Sequence, residues 1–324
     1  MTPSPTAFAR FGKATVVTVV LGACLVFLPL GPALIMPFLA LPAAHLLARW
    51  GLPYAILLVL VSGGLAFLVA DIGMATLVSL MVLAIGVTLG LAVRRFWSFG
   101  KTLVSTTAAA VVALVAWGAV MWQALGVDAT VLRNAANASI DNAATAYNQM
   151  GVSKASTDVI SSQLRQILDV LPYLIPGLLV MGSLLLAGCV IVLAHAIFPR
   201  LKERVEVRLS LAGFRMHWAA AYASIVGLAL LVVSRGAGRW QDAVLYVGLN
   251  VLLIAQTFFF YQGLALVHWY ATTRQLGRGS RGALYVVAVL AQALQLTGLL
   301  GLFDTWLDCR KRFVLKTPGA GPVR

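Results

Sequence analysis

Residues 73–93 read GMATLVSLMVLAIGVTLGLAV, a run of 21 residues without a charge. At 1.5 Å per residue, about 20 apolar residues in a helix cross the hydrocarbon core of a bilayer, so this run predicts a transmembrane helix. Gly86 and Gly90 stand four apart within it, a small-xxx-small spacing that lets helix backbones approach closely. Outward from this run, eight further apolar segments fall near 14–30, 33–48, 53–70, 102–126, 171–198, 216–234, 242–270 and 282–306. Of the 324 residues 61% are hydrophobic and only 10% are charged, against about a quarter charged in an ordinary soluble domain. This balance excludes a soluble globular enzyme, a disordered tail protein and a disulfide scaffold. The expected fold is all-α, a polytopic transmembrane helical bundle of about eight spans drawn from nine apolar segments. The expected organisation is a transmembrane bundle over 1–126, an extramembrane helical hairpin over 127–170, a second transmembrane bundle over 171–313 and a flexible tail over 314–324.

The net charge of +14 would suggest nucleic acid in a soluble protein. Here the cations cluster at the ends of apolar segments, where the positive-inside rule and an anionic inner leaflet account for them, so the bilayer is the expected partner and nucleic acid is not. With the N-terminus inside, nine spans leave Arg310, Lys311, Arg312, Lys316 and Arg324 outside with Arg133, Lys154, Arg165, Arg235 and Arg239. Turning the tail inward changes the balance to 19 cations inside and 5 outside, which favours eight spans. That count requires a non-crossing segment after Arg281, yet 282–306 is long and apolar, and the two constraints conflict. The first two segments hold Pro29, Pro37 and Pro42, with Pro32 between them, so they are two short spans or a broken helix facing a cavity. The run Leu21 to Cys24 resembles a lipoprotein cleavage box, but the sequence after it stays apolar, and an uncleaved first helix is expected. Cys24, Cys189 and Cys309 are far apart and have no ligand spacing, so they read as small buried residues.

The most polar stretch is 127–170. Asp128, Asp141, Asp158 and Asp169 nearly balance Arg133, Lys154 and Arg165, leaving −1, as suits an external loop. Ile160, Leu164, Ile167, Leu168 and Leu171 recur at helical spacing behind a Ser156/Thr157 cap. Leu132, Ala136, Ile140, Ala144 and Tyr147 form a weaker stripe, and Gly151 separates the two. Segment 199–215 carries five cations against Glu203 and Glu206, a net of +3, and its alternating Val205, Val207, Leu209 and Leu211 suggest some extended chain. It reads as a positive-inside anchor or as a docking loop for a cytoplasmic partner or anionic lipid.

No enzyme motif is present: there is no GxxxxGK[ST] phosphate loop, no HExxH and no GxSxG. His45, His195, His217 and His268 include no pair at metal-ligating helical spacing, so neither a catalytic residue, a metal nor a cofactor is expected. Polar residues at membrane depth are the better lead, since each needs a partner inside the protein. In 242–270, Asn250, Thr257, Tyr261 and His268 share one helix face, either lining a ligand cavity or holding helices together, while Gln256 and Gln262 lie on other faces. Gln292 and Gln295 pose the same choice on the last segment. Asp304 and Asp308 are one turn apart, with Asp308 in reach of Lys311 and Arg312. They form a terminal anchor with Trp306 at the membrane interface, or a carboxylate pair that relays protons or binds a cation. Trp50, Trp97, Trp122, Trp240, Trp269 and Trp306 all fall near segment ends, as in an aromatic belt.

Four stretches resemble the YybS-like predicted bacterial membrane proteins, a family defined by a domain of unknown function (DUF2232). They are FLALPAAHLLARWGLPYAILL, GVTLGLAVRRFWSFGKTL, LNVLLIAQTFFFYQGLALVHWY and GLLGLFDTWLDCRKRF, together running from about residue 12 to 313. The last is the most specific, carried by Gly301, Leu302, Asp304, Thr305, Trp306, Asp308, Arg310, Lys311 and Arg312. It departs from the family pattern at Phe303, which stands where a leucine is expected, and at Cys309, which replaces an aromatic residue. The resemblance implies a multi-pass protein of the bacterial inner (plasma) membrane, of uncharacterised activity, with about eight spans. It also implies an N-terminal half distantly similar to the substrate-binding subunits of energy-coupling-factor transporters, which depend on separate coupling and ATPase subunits. The leading expectation is therefore a non-enzymatic small-molecule transporter or its substrate-binding component. The alternatives are a membrane scaffold that recruits a protein partner through the 199–215 loop or the 127–170 hairpin, and an intramembrane enzyme using Asp304 and Asp308.

Overall fold

A computed structural model describes residues 12–21, 31–200 and 210–311. Among these residues the chain is helical and contains no strand. The helices are α1 (Gly12–Leu21), α2 (Gly31–Trp50), α3 (Leu52–Val69), α4 (Ile72–Arg94), α5 (Phe99–Leu125), α6 (Ala129–Gln149), α7 (Lys154–Ile197), α8 (Ala221–Ser234), α9 (Gln241–Thr273), α10 (Arg278–Ala291) and α11 (Leu296–Leu307).

Local chemistry sets several of the boundaries. Gly51, at φ 101°, turns α2 into α3, with a proline following in the first turn of α3. Asp71 caps α4 by accepting from the Met74 N–H at 2.9 Å, and Asp128 caps α6 by accepting from the Thr130 and Val131 N–H groups. Gly126 ends α5 in the left-handed region. The cap of α7 is Ser153, which accepts from the Ser156 N–H, and not Ser156 or Thr157 as the sequence suggested. Thr157 instead lies buried, with its hydroxyl donating to the Asn148 side chain of α6 at 2.8 Å. Gly151, at φ 89°, turns α6 into α7. α2 runs through Pro37 and Pro42, and α7 through Pro172 and Pro176.

α4 packs between α2 and α5, and α7 joins this group to α9. One buried apolar cluster runs through both halves of the chain: Leu41 on α2, Ile85 on α4, Leu103 on α5, Leu184 and Ile191 on α7 and Tyr261 on α9. The two glycines of the opening run work as their spacing predicts. A methyl group at Gly86 would come within 2.8 Å of Ala43 Cβ, and one at Gly90 within 2.8 Å of the Ala44 carbonyl oxygen. Larger residues there would force α2 and α4 apart.

The turns collect at two ends. At one end Gly51 lies beside Arg94, the His45 ring meets Phe198 at 5.4 Å, and the Phe99 ring meets Phe214 at 5.3 Å. This end holds Arg49, Arg94, Arg95, Lys101 and Arg215 and is called the basic end below. At the other end the α6–α7 hairpin stands out, with no buried residue on α6, and is tied by ion pairs Arg133–Asp169 and Arg165–Asp141. Both pairs are more than half exposed, as suits a solvated segment. The stacked rings of Tyr173 and Tyr246, 4.4 Å apart, mark where α7 and α9 enter the bundle side by side.

Residues 282–306 do not form the single straight segment expected. α10 ends in a 3-10 turn at Gln292–Leu294, Gln295 takes φ 59°, and α11 leaves at 97° to α10. Both outer ends of this bent pair meet the basic end. α10 begins at the α9–α10 turn, and just beyond α11 the Arg310 guanidinium donates to the carbonyls of Ala212 and Phe214, in the connection between α7 and α8.

Length and composition alone do not establish the expected count of about eight spans among the described residues. Four helices, α4, α5, α7 and α9, are long and apolar enough to cross a membrane, and the bent pair makes a fifth if counted as one span. The remaining apolar segments give shorter helices among the described residues. Of the stretch 199–215, Leu211–Gly213 forms a 3-10 turn between extended backbone at Ser210 and Phe214, and Val205, Val207 and Leu209 lie outside the described residues. Residues 201–209, Cys24, Pro29, Arg312 and the 314–324 tail lie outside the described residues. Cys189 is exposed on α7, not buried.

Candidate functional site

The break between α10 and α11 is built from glutamines. Gln292 folds over it: its Oε1 accepts from the Gly298 N–H at 2.9 Å, and its Nε2 donates to Gln295 Oε1 at 2.9 Å. This side chain thereby caps the first turn of α11, where backbone N–H groups have no helical partner. Thr297 donates its hydroxyl to the Ala288 carbonyl at 2.5 Å, stitching α11 back to α10. From α9, Gln256 Nε2 lies 3.5 Å from the Gln295 carbonyl oxygen. The bent pair can nestle on α9 because glycines face each other. A methyl group at Gly263 would overlap the Thr297 carbonyl oxygen, and one at Gly301 the Phe259 carbonyl oxygen. Gln256 stands near the middle of the 33-residue α9, a helix long and apolar enough to cross a membrane, so the break is level with the middle of that helix. Gln295 is exposed there and Gln292 half-buried.

One turn beyond, a buried polar clasp closes the structure. Asp304 and Arg310 form an ion pair, with Nε 3.3 Å from Oδ2 and each side chain 3% exposed. Gln262 Nε2 donates to the same Asp304 oxygen at 2.7 Å, while Gln262 Oε1 accepts from the Met216 N–H at 3.1 Å. Arg310 completes the set through the Ala212 and Phe214 carbonyls, at 2.6 and 3.0 Å. A buried charge pair needs such additional donors and acceptors, because Coulomb attraction alone does not offset its desolvation. Asp304 and Asp308 have separate partners. The helix ends at Leu307, and Asp308 turns away to Lys311 at 2.8 Å and Arg215 at 3.5 Å. The Lys311 hydrogen bond, then the Arg215 charge, hold its carboxyl below the usual carboxylate range. Trp306 is exposed at the same end.

The face expected to line a ligand cavity is occupied by protein. Asn250 Oδ1 accepts from the Gly177 N–H at 2.5 Å, and its Nδ2 donates to the carbonyls of Tyr173 at 2.8 Å and Tyr246 at 2.7 Å. Thr257 donates back to Leu253 in its own helix at 2.7 Å. Tyr261 donates to the Leu184 and Leu185 carbonyls at 3.1 Å, its ring filling the space left by Gly188. His268 Nδ1 pairs with the Tyr285 hydroxyl of α10. These four residues follow one face but meet four different partners, whereas Gln292 and Gln295 do come together. Gln256 and Gln262, on other faces of α9, join the break and the clasp. Their signal was a carboxamide inside an apolar run, with Gly263 directly after Gln262. Elsewhere, a small cavity of about 50 Å³ lies among α1, α2, α3 and α4, lined by Thr18, Ser62, Ser79 and apolar residues. Its three hydroxyls all bond back to their own helices. Among the described residues no three His, Cys, Asp or Glu side chains are grouped to hold a metal ion.

The fold and these sites define a helical membrane protein with several apolar spans. The chain belongs to the predicted membrane protein family DUF2232, whose model matches residues 16–305. No curated protein and no solved structure matches it.

Proposed function

We propose that the protein is a small-molecule transporter, or the substrate-binding component of one, and that its ligand meets the break between α10 and α11. The observation that carries this reading is irregular backbone level with the middle of α9, with the Gln295 carboxamide exposed and those of Gln256 and Gln292 half-buried. Non-helical backbone is tolerated at membrane depth where it is covered by protein or lines a water-filled cavity, and transporters bind their substrates at such breaks near the midplane. Gln256, Gln292 and Gln295 offer donors and acceptors without charge, and the nearby Asp304 and Arg310 neutralise each other. The ligand is therefore a neutral, hydrogen-bonding solute. Asn250, Thr257, Tyr261 and His268 then serve helix packing around the site.

In this reading eight helices cross the membrane: α1 to α5, α7, α8 and α9. The bent α10–α11 pair enters from the basic end and returns to it, so both termini lie on the cytoplasmic side. The segments assigned to that side carry 19 of the 24 Lys and Arg residues. This supports the bacterial inner membrane as the location, with the hairpin outside. The protein has no catalytic role of its own in this proposal. Separate coupling and ATPase subunits are its partners in this proposal, as the distant resemblance of the sequence to energy-coupling-factor substrate-binding subunits implies.

The test is a thermal-shift screen of the purified protein against vitamins, nucleosides and other neutral polar solutes. A ligand at a hundredfold excess over Kd stabilises by about 2.7 kcal/mol. A shift abolished in Gln292→Leu and Gln256→Leu supports the site, and a shift that survives both refutes it. The scaffold reading is favoured by a separate observation, the uncovered apolar stripe on the hairpin.

A further inference from the structure

In the hairpin, Ile160, Leu164, Ile167 and Leu171 of α7 are 48%, 42%, 61% and 39% exposed, in a stretch joined to α6 by exposed ion pairs. Large apolar side chains spaced 4-3-4 on an exposed helix match the spacing of a coiled-coil seam. α6 does not cover them. It packs on another side of α7, where Thr157 is buried and Ser161 and Leu168 are half-buried. The spacing continues without interruption into the membrane through Leu174, Leu178, Met181 and Leu185, giving eight seam positions in all. Leu185 is again exposed. Pro172 and Pro176 fall off the seam. Beside its lower half lies an open apolar groove of about 220 Å³ between α4, α5 and α7, lined by Met81, Leu114, Ile175, Gly182 and by Leu178 of the seam itself.

We infer that α7 is a self-association seam, along which copies of this chain assemble in parallel. Copies in one membrane share one orientation, so their α7 helices meet at equal depth and each seam residue faces its own counterpart. The charges agree with an identical partner. Between residues 155 and 171, α7 carries Asp158, Arg165 and Asp169, none of them on the seam or at the positions flanking it. Ser161, Gln163, Leu168 and Val170 occupy the flanks, so like helices meet without like-charge repulsion. Arg165 and Asp169 are already engaged by α6. In coiled-coil register, within the hairpin, Leu164 and Leu171 take a and Ile160 and Ile167 take d, a combination that favours three or four strands over two. The open groove receives side chains from the neighbouring copy. None of this depends on the ligand site at the α10–α11 break.

Cysteine crosslinking in native membranes tests the inference on the full chain. In a background with Cys24, Cys189 and Cys309 replaced by serine, Ile167→Cys and Leu164→Cys should crosslink near-completely to a second copy, and Ser162→Cys on the opposite face should stay at background. Native mass measurement should give a multiple of the 34.4 kDa chain, falling to one copy in the Leu164→Asp, Ile167→Asp double variant. Because both residues are exposed, that variant should keep its helix content. A single-copy mass for the unmodified protein, equal crosslinking at Ser162→Cys, or crosslinks only to a different protein would each overturn the inference.

Discussion

Replacing Asn250 by alanine separates a packing role from a ligand role. α7 carries Pro176, which supplies no N–H and crowds the carbonyl one turn before it. Immediately after it, Asn250 serves both ends of one helical turn of α7, accepting from Gly177 N–H and donating to the Tyr173 carbonyl. The third bond, to Tyr246, lies within α9 and matters less. Interhelical hydrogen bonds in membranes contribute about 0.6 kcal/mol on average and up to about 1.7. Two of them lost together give an expected destabilisation of about 1 to 3 kcal/mol for Asn250→Ala. Equilibrium unfolding in mixed micelles, followed by helix content, reads this directly. Gly177→Ala attacks the same junction from the other side, since its methyl group would press on the Asn250 amide. The two changes should therefore be non-additive in a double-mutant cycle. If Asn250→Ala left stability unchanged while abolishing a ligand response, the packing account would be refuted and the cavity account restored.

Arg310→Ala leaves Asp304 buried and unpaired and should cost about 3–5 kcal/mol, whereas Arg133→Ala, which breaks an exposed pair, should cost under about 1; thermal melts of the two variants make the comparison. Gly301→Ala and Gly263→Ala press a methyl group onto a backbone carbonyl, with an expected loss of about 1–3 kcal/mol or more, visible as a lowered melting temperature in detergent. The depressed pKa of Asp308 contributes stability that is complete above its unfolded value of about 3.9 and is lost as pH falls through the folded value. Unmodified protein should therefore lose its small advantage over Asp308→Asn below about pH 4, and an advantage that persisted there would contradict the Lys311 and Arg215 contacts. A cysteine introduced at Arg95 and one at Lys311 should react with an impermeant maleimide from the same side of sealed vesicles, and labelling from opposite sides would refute the returning path of α10–α11.

Composition and periodicity reached the helical class, the close approach at Gly86 and Gly90, and the stripe of α7, because each depends on residues near one another in sequence. They did not reach the break at Gln292–Gln295. Hydropathy averages over a window, and 282–306 is apolar throughout, so nothing local announces a 97° turn. The turn is imposed from outside. Gly263 and Gly301 remove the side chains that would hold α11 away from α9, Gln292 supplies the missing cap, and Gln262 with Arg310 anchors Asp304. Yet the charges already carried the information in a different form. Five cations after residue 309 made no sense on the outer side of a membrane, while the length of the last apolar segment seemed to put them there. A bent pair that enters and leaves at the basic end satisfies both demands at once. In the proposed topology, the conflict between a charge rule and a length rule is the sequence's own mark of a helix that does not cross. The same conflict elsewhere in a membrane protein is a reason to look for a break before adding a span.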